Sequence, residues 1–125
     1  MAKIAKFGSY VILTLSPLER AIAMHKSPRA KYSEIISVKK VKKPWKHRVL
    51  RGIGAPGLGL SFLVSLGTWR LRKGKNFVAV YGRRPGYVIT FHSGEFRQWI
   101  VTPKNSESDI KAMFEEFLSR SDQEG

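Results

Sequence analysis

The sequence predicts a mainly β domain of about seven strands closed by one C-terminal α-helix. Three observations carry that expectation. Apolar and polar residues alternate with period two through much of residues 9–102. Turn chemistry breaks these runs at Lys73-Gly74-Lys75, Gly82-Arg83-Arg84-Pro85-Gly86 and Ser93-Gly94, at intervals of about ten residues, the spacing of an antiparallel meander. After Pro103 the period changes to that of a helix.

Taken in order, residues 1–8 read as an N-terminal extension and residues 9–120 as a single domain, with 121–125 as a tail. Lys3 and Lys6 ahead of the apolar run Tyr10 to Leu15 resemble the start of a signal peptide. The run is too short, however, and Pro17, Glu19 and Arg20 interrupt it, so it reads as a first strand over 9–15. Residues 20–25 read as a second strand, in competition with a short helical turn over Leu18 to Met24, and the pattern leaves both open. A strand follows at 34–42. Gly52 to Thr68 carries no charge, but it is too short and too glycine-rich for a spanning helix, which needs about 20 predominantly apolar residues. It reads as a loop running into a buried strand at 61–72.

Strands at 76–81, 86–92 and 96–102 complete the set. Phe77, Ala79 and Tyr81 oppose Val78 and Val80, and Tyr87, Ile89 and Phe91 oppose Val88, Thr90 and His92. In the helix, Ile110, Met113, Phe114, Phe117 and Leu118 form one apolar stripe. Ser106 or Ser108 can cap its start, and Glu107 and Asp109 lie in the first turn, where the helix dipole favours negative charge. A stripe of this kind closes the chain's own core.

At 125 residues and 42% hydrophobic content, the chain can bury a core without a metal or a covalent staple. It has no cysteine, which excludes disulfides, thiolate zinc sites and a cysteine nucleophile together and makes a reducing cytoplasm the plainer setting. The glycines at 52, 54 and 57 match the spacing of a dinucleotide-binding turn. Pro56 and the absence of any acid between Glu34 and Glu95 reject it, leaving a tight connection as the reading. Gly74-Lys75 has no glycine five residues upstream and is no P-loop. His25, His47 and His92 stand apart from one another, so no metal or other cofactor is expected, and nothing argues for an enzyme.

The charge distribution is the functional signal. Residues 1–106 hold 21 of the 23 cations against three acids, a net +18, whereas the last nineteen residues carry −4. A body this basic attracts polyanions. The densest stretch, Lys39 to Arg51, contains Lys39, Lys40, Lys42, Lys43, Lys46, Arg48 and Arg51 with Trp45 and no acid. Arg70, Arg72, Lys73 and Lys75 mark one hairpin, and Arg83 and Arg84 a later turn. Should these converge, they form a continuous anion patch in which Trp45 stacks on a base or sits at headgroup level; otherwise they are solvated faces.

The order of strands and final helix is similar to the pleckstrin-homology (PH) superfold, in which the helix plugs one end of a small bent antiparallel barrel. The run Trp45 to Gly57, then Gly67-Thr-Trp-Arg70 and Lys75-Asn-Phe-Val-Ala-Val80, resembles a family of small bacterial proteins with PH-like domains, over about Tyr10 to Leu118. The resemblance implies a non-catalytic recognition or scaffolding module, cytoplasmic or peripheral at the inner face of the membrane, that meets headgroups, peptides or other subunits. Phosphoinositide-binding members carry a basic signature across the first two strands. Here Ser16 to Lys31 offers only Arg20, Lys26, Arg29 and Lys31, loosely spaced. The expected partner is thus an anionic membrane surface or a protein, with nucleic acid bound through its backbone as second reading and pairing through an exposed strand edge as third.

Overall fold

The computed structural model describes residues 2–23, 26–42, 53–61, 64–71, 74–81 and 84–124. Strands β1 (Lys3–Phe7), β2 (Tyr10–Thr14) and β3 (Arg29–Lys31) form a three-stranded sheet in that order, with helix α1 (Pro17–Ala23) between β2 and β3. Strands β4 (Ile35–Val41), β5 (Ile53–Ser61), β6 (Val64–Leu71), β7 (Gly74–Tyr81), β8 (Gly86–Phe91) and β9 (Gln98–Val101) form a second sheet, in the order β4-β8-β9-β7-β6-β5. Helix α2 (Glu107–Glu124) ends the chain. The fold is therefore mainly β with a C-terminal helix. Both sheets are open: β4 and β5 are the two edges of the larger one, where the resemblance implied a bent antiparallel barrel or sandwich.

The simple meander fails at β9. That strand lies between β7 and β8, antiparallel to β8 and parallel to β7. The cause is legible in its side chains, because Trp99, Ile100 and Val101 are all buried and so bury both faces of the strand. Such a strand is stable only with neighbours on either side and cover above and below. At the end of a meander it would present one ladder edge and much apolar surface to water.

Period-two alternation sorts the larger sheet into two faces. Phe77 and Ala79 of β7, Trp99 and Val101 of β9, Tyr87, Ile89 and Phe91 of β8 and Val38 of β4 join Ile4, Val11 and Leu13 of the small sheet in the main core. Val78, Val80, Val88 and Ile100 form a separate cluster on the opposite face, with Val41 packed against it. The faces of β7 and β8 are those expected from sequence.

Three segments differ from expectation. Residues 3–7 form β1 within the folded body, with Ile4 fully buried, in place of an extension. Gly8, at φ 58°, makes the two-residue turn that returns the chain into β2, a conformation glycine adopts without strain. Residues 17–23 are helical, so the strand reading gives way over 20–23, while 24–25 lie outside the described residues. Ser16 and Glu19 form a capping box, with Glu19 N–H donating to Ser16 Oγ at 3.2 Å and Ser16 N–H to Glu19 Oε1 at 2.9 Å, and Pro17 takes the first helical position. Residues 53–61 form β5 in place of a tight connection, and its pairing with β6 shifts register between Gly54 and Gly57, where Pro56 need not donate to the ladder.

Helix α2 closes the main core as its stripe requires: Ile110, Phe114 and Phe117 are buried, with Met113 and Leu118 packed beside them. Ser106 caps it, its Oγ accepting from Asp109 N–H at 3.2 Å. Tyr32 anchors the helix, stacking on Phe114 with ring centroids 6.1 Å apart and meeting Phe117 edge-on at 5.3 Å. Its hydroxyl donates to the Met113 carbonyl, and the next residue, Phe114, leaves helical geometry at φ −121°, ψ 25°. A side chain that takes a helical carbonyl in this way accounts for the kink.

Phe114→Asp and Phe117→Asp each place an unpaired charge in the core and are expected to abolish the cooperative melting transition followed by circular dichroism. Tyr32→Phe keeps the ring and loses one hydrogen bond, for an expected loss of about 1 kcal/mol in denaturant unfolding. Glu19 is buried and accepts from Ser16 and from the Tyr81 hydroxyl. Burial opposes its ionisation, but the hydrogen bonds from Ser16 and Tyr81 outweigh it, and the carboxyl titrates below 4.5. A depressed carboxylate stabilises the fold above its unfolded pKa and ceases to as pH falls through the folded one. Stability is therefore expected to drop below about pH 4.5, less steeply in Glu19→Gln, in urea titrations across that range.

Candidate anion site

Strand register decides which cations meet. Val41 pairs with Gly86, so Lys39, Lys40 and Lys42 lie at the end of the larger sheet where β8 begins, just after Arg84. Arg70 pairs with Lys75 where β6 turns into β7, at the other end of β7 from Tyr81 and the connection to β8. Eight residues of β7 separate the two groups, about 23 Å at roughly 3.3 Å per residue. Of the candidate patch residues that are described, Lys39, Lys40, Lys42 and Arg84 thus lie at one end of the sheet and Lys75, with the Arg70 backbone, at the other. Lys43, Trp45, Lys46, Arg48, Arg51, Arg72, Lys73 and Arg83 lie outside the described residues.

Alternation divides the β4 group further. Lys40 pairs with Tyr87 and shares the face of Val38 and Ile89, against which α2 packs. Lys39 pairs with Val88 and belongs to the opposite face. Consecutive lysines in a strand thus address two surfaces.

The body's three acids are all engaged elsewhere. Glu19 is tied into the α1 cap. Glu34 accepts from Lys31 N–H at 2.8 Å and Ser93 Oγ at 2.9 Å, and these hydrogen bonds hold its carboxyl below the usual range. Glu95 lies 3.5 Å from Lys75, which also sits 5.4 Å over the Phe96 ring, so Lys75 serves a local contact. Gly74, at φ 143°, brings the backbone so close to Arg97 that a Cβ would meet its side chain at 2.8 Å, which packs this hairpin end tightly.

At the β4 end the compensating acid comes from α2. Glu107 Oε1 lies 2.6 Å from Lys40 Nζ, with both side chains largely exposed. The hydrogen bond raises the Lys40 pKa and lowers that of Glu107. Lys39 and Lys42 are exposed and have no acidic partner among the described residues.

Between α2 and the sheet lies a cleft of about 160 Å³ lined by Lys40, Tyr87, Glu107, Lys111 and Leu118. Tyr87 and Lys111 escaped the sequence reading. Only strand pairing reveals that Tyr87 neighbours Lys40, and only the docking of α2 brings Lys111 to them. Of the histidines, His92 is described, its Nε2 3.0 Å from the Ser33 carbonyl in a loop contact. Among the described residues no three His, Asp or Glu side chains could hold a metal ion, and no helix is long and apolar enough to cross a membrane.

Replacing Glu107 by Gln removes one exposed ion pair and no core contact. The melting temperature is expected to stay close to that of the parent, as a thermal melt would show. No family model, no curated protein and no solved structure matches the chain.

Proposed function

We propose that the chain is a non-catalytic, PH-like binding or scaffold module that meets an anionic surface or partner through the β4 end of its larger sheet. The observation that carries this reading is the disposition of charge. The body's acids are engaged away from β4, so Lys39 and Lys42 face solvent without an acidic partner among the described residues, in a body of net +18. Near an anionic bilayer each such lysine contributes about 1 kcal/mol, so a handful gives reversible, salt-sensitive association. A peripheral position at the inner face of the membrane fits that mode of binding.

Edge pairing is less favoured at β1. There the Asn105 side chain accepts from Ile4 N–H and donates to the Ile4 carbonyl, both at 2.8 Å, and so occupies the edge that a partner strand would need. Nucleic acid remains the second ligand class, since a basic surface serves phosphate backbones as well.

Replacing Lys39, Lys40, Lys42 and Lys43 together with Glu is expected to abolish pelleting with anionic vesicles while leaving the melting transition intact. Pelleting equal to the parent would refute the β4 assignment, and retention on duplex DNA rather than vesicles would favour nucleic acid.

A further inference from the structure

We propose that the cleft between α2 and β4 is a phosphate-group site in which Lys40, Lys111 and the Tyr87 hydroxyl are the donors and Glu107 is the built-in competitor. The inference rests on the anion-binding reading above and gives it a ligand class. Three observations meet here.

First, the cleft is bounded by two ammonium groups and one carboxylate and so keeps a net positive charge with Glu107 in place. Second, Tyr87 lines the cleft at only 7% exposure and is paired with Lys40 across β4 and β8, so its phenol stands beside the two ammonium groups as a neutral donor. Third, Glu107 shows how an anion sits there, because its Oε1 is 2.6 Å from Lys40 Nζ. Lys111, one turn on along α2, lowers the pKa of the same carboxyl, though less than Lys40 does.

A phosphomonoester fits better than the carboxylate it would displace. It carries a charge of about −1.5 to −2 at neutral pH and three acceptor oxygens, one for each donor. The ligand class is therefore a terminal phosphate, whether free or on a lipid headgroup. Displaced from Lys40, Glu107 is exposed and rehydrates at little cost.

The test is titration of the full chain with inorganic phosphate, followed by amide NMR shifts, for the parent, Glu107→Gln and Tyr87→Phe. Pelleting with phosphatidylcholine vesicles containing phosphatidic acid or phosphatidylserine runs in parallel. Glu107→Gln is expected to tighten phosphate binding about fivefold by removing the competing charge. Tyr87→Phe is expected to weaken it about tenfold, the loss of one hydrogen bond to a charged group. Preference for phosphatidic acid would assign the phosphate to a lipid, and phosphate binding without that preference would assign it to a soluble ligand. Phosphate affinity unchanged in both variants, or no phosphate binding by the parent, would overturn the site. Vesicle pelleting that persisted through the lysines in that case would leave the broader anion-surface reading standing alone.

Discussion

The arrangement depends on β9 being buried on both faces. Trp99 and Val101 fill the main core, and Ile100 joins Val78, Val80 and Val88 on the other side. A four-residue strand so apolar has to lie inside the sheet. Its insertion separates β7 from β8, reverses the local sense to parallel against β7, and carries β4 outward through β8 to the sheet's edge. β4 thus borders the sheet beside β8 in an order set by residues more than fifty positions later in the chain.

Docking of α2 ties that edge to the acidic end of the protein. Tyr32, between β3 and β4, holds the helix by ring contacts with Phe114 and Phe117 and by its hydrogen bond to the Met113 carbonyl. The stripe that buries Ile110, Phe114 and Phe117 fixes the helix's rotation, and that rotation brings Glu107 to Lys40 and Lys111 to the same cleft. The charge separation visible along the sequence is thus partly closed in three dimensions. Lys39 and Lys42 stay without an acidic partner among the described residues, beside the exposed Lys40–Glu107 ion pair.

Elements whose own side chains define their burial were legible from the sequence. The α2 stripe and the two faces of β7 and β8 follow from periodicity alone, because each residue's burial depends on its position along one element. Elements defined by partners were not. β5 reads as a loop because Gly and Pro weaken any local strand signal, and only its pairing with β6 makes it a strand. Helix α1 was legible in principle from Ser16, Pro17 and Glu19, a capping pattern outweighed by apolar residues that suit either state. For the site, the local density of lysine was visible but its geometry was not. Consecutive lysines on β4 face opposite ways, and Lys75 lies at the far end of β7 from them.

The central claim is that the basic body recognises anionic surfaces by charge, and co-sedimentation of the unaltered protein tests it most directly. The protein is mixed with neutral or anionic vesicles, with duplex DNA as competitor, at about 0.1 M and 0.5 M salt, a range over which the screening length falls from about 10 Å to roughly 4 Å. The account predicts pelleting with anionic vesicles alone, resistant to DNA and lost at the higher salt. Equal pelleting with neutral vesicles, or none with anionic ones, would contradict it.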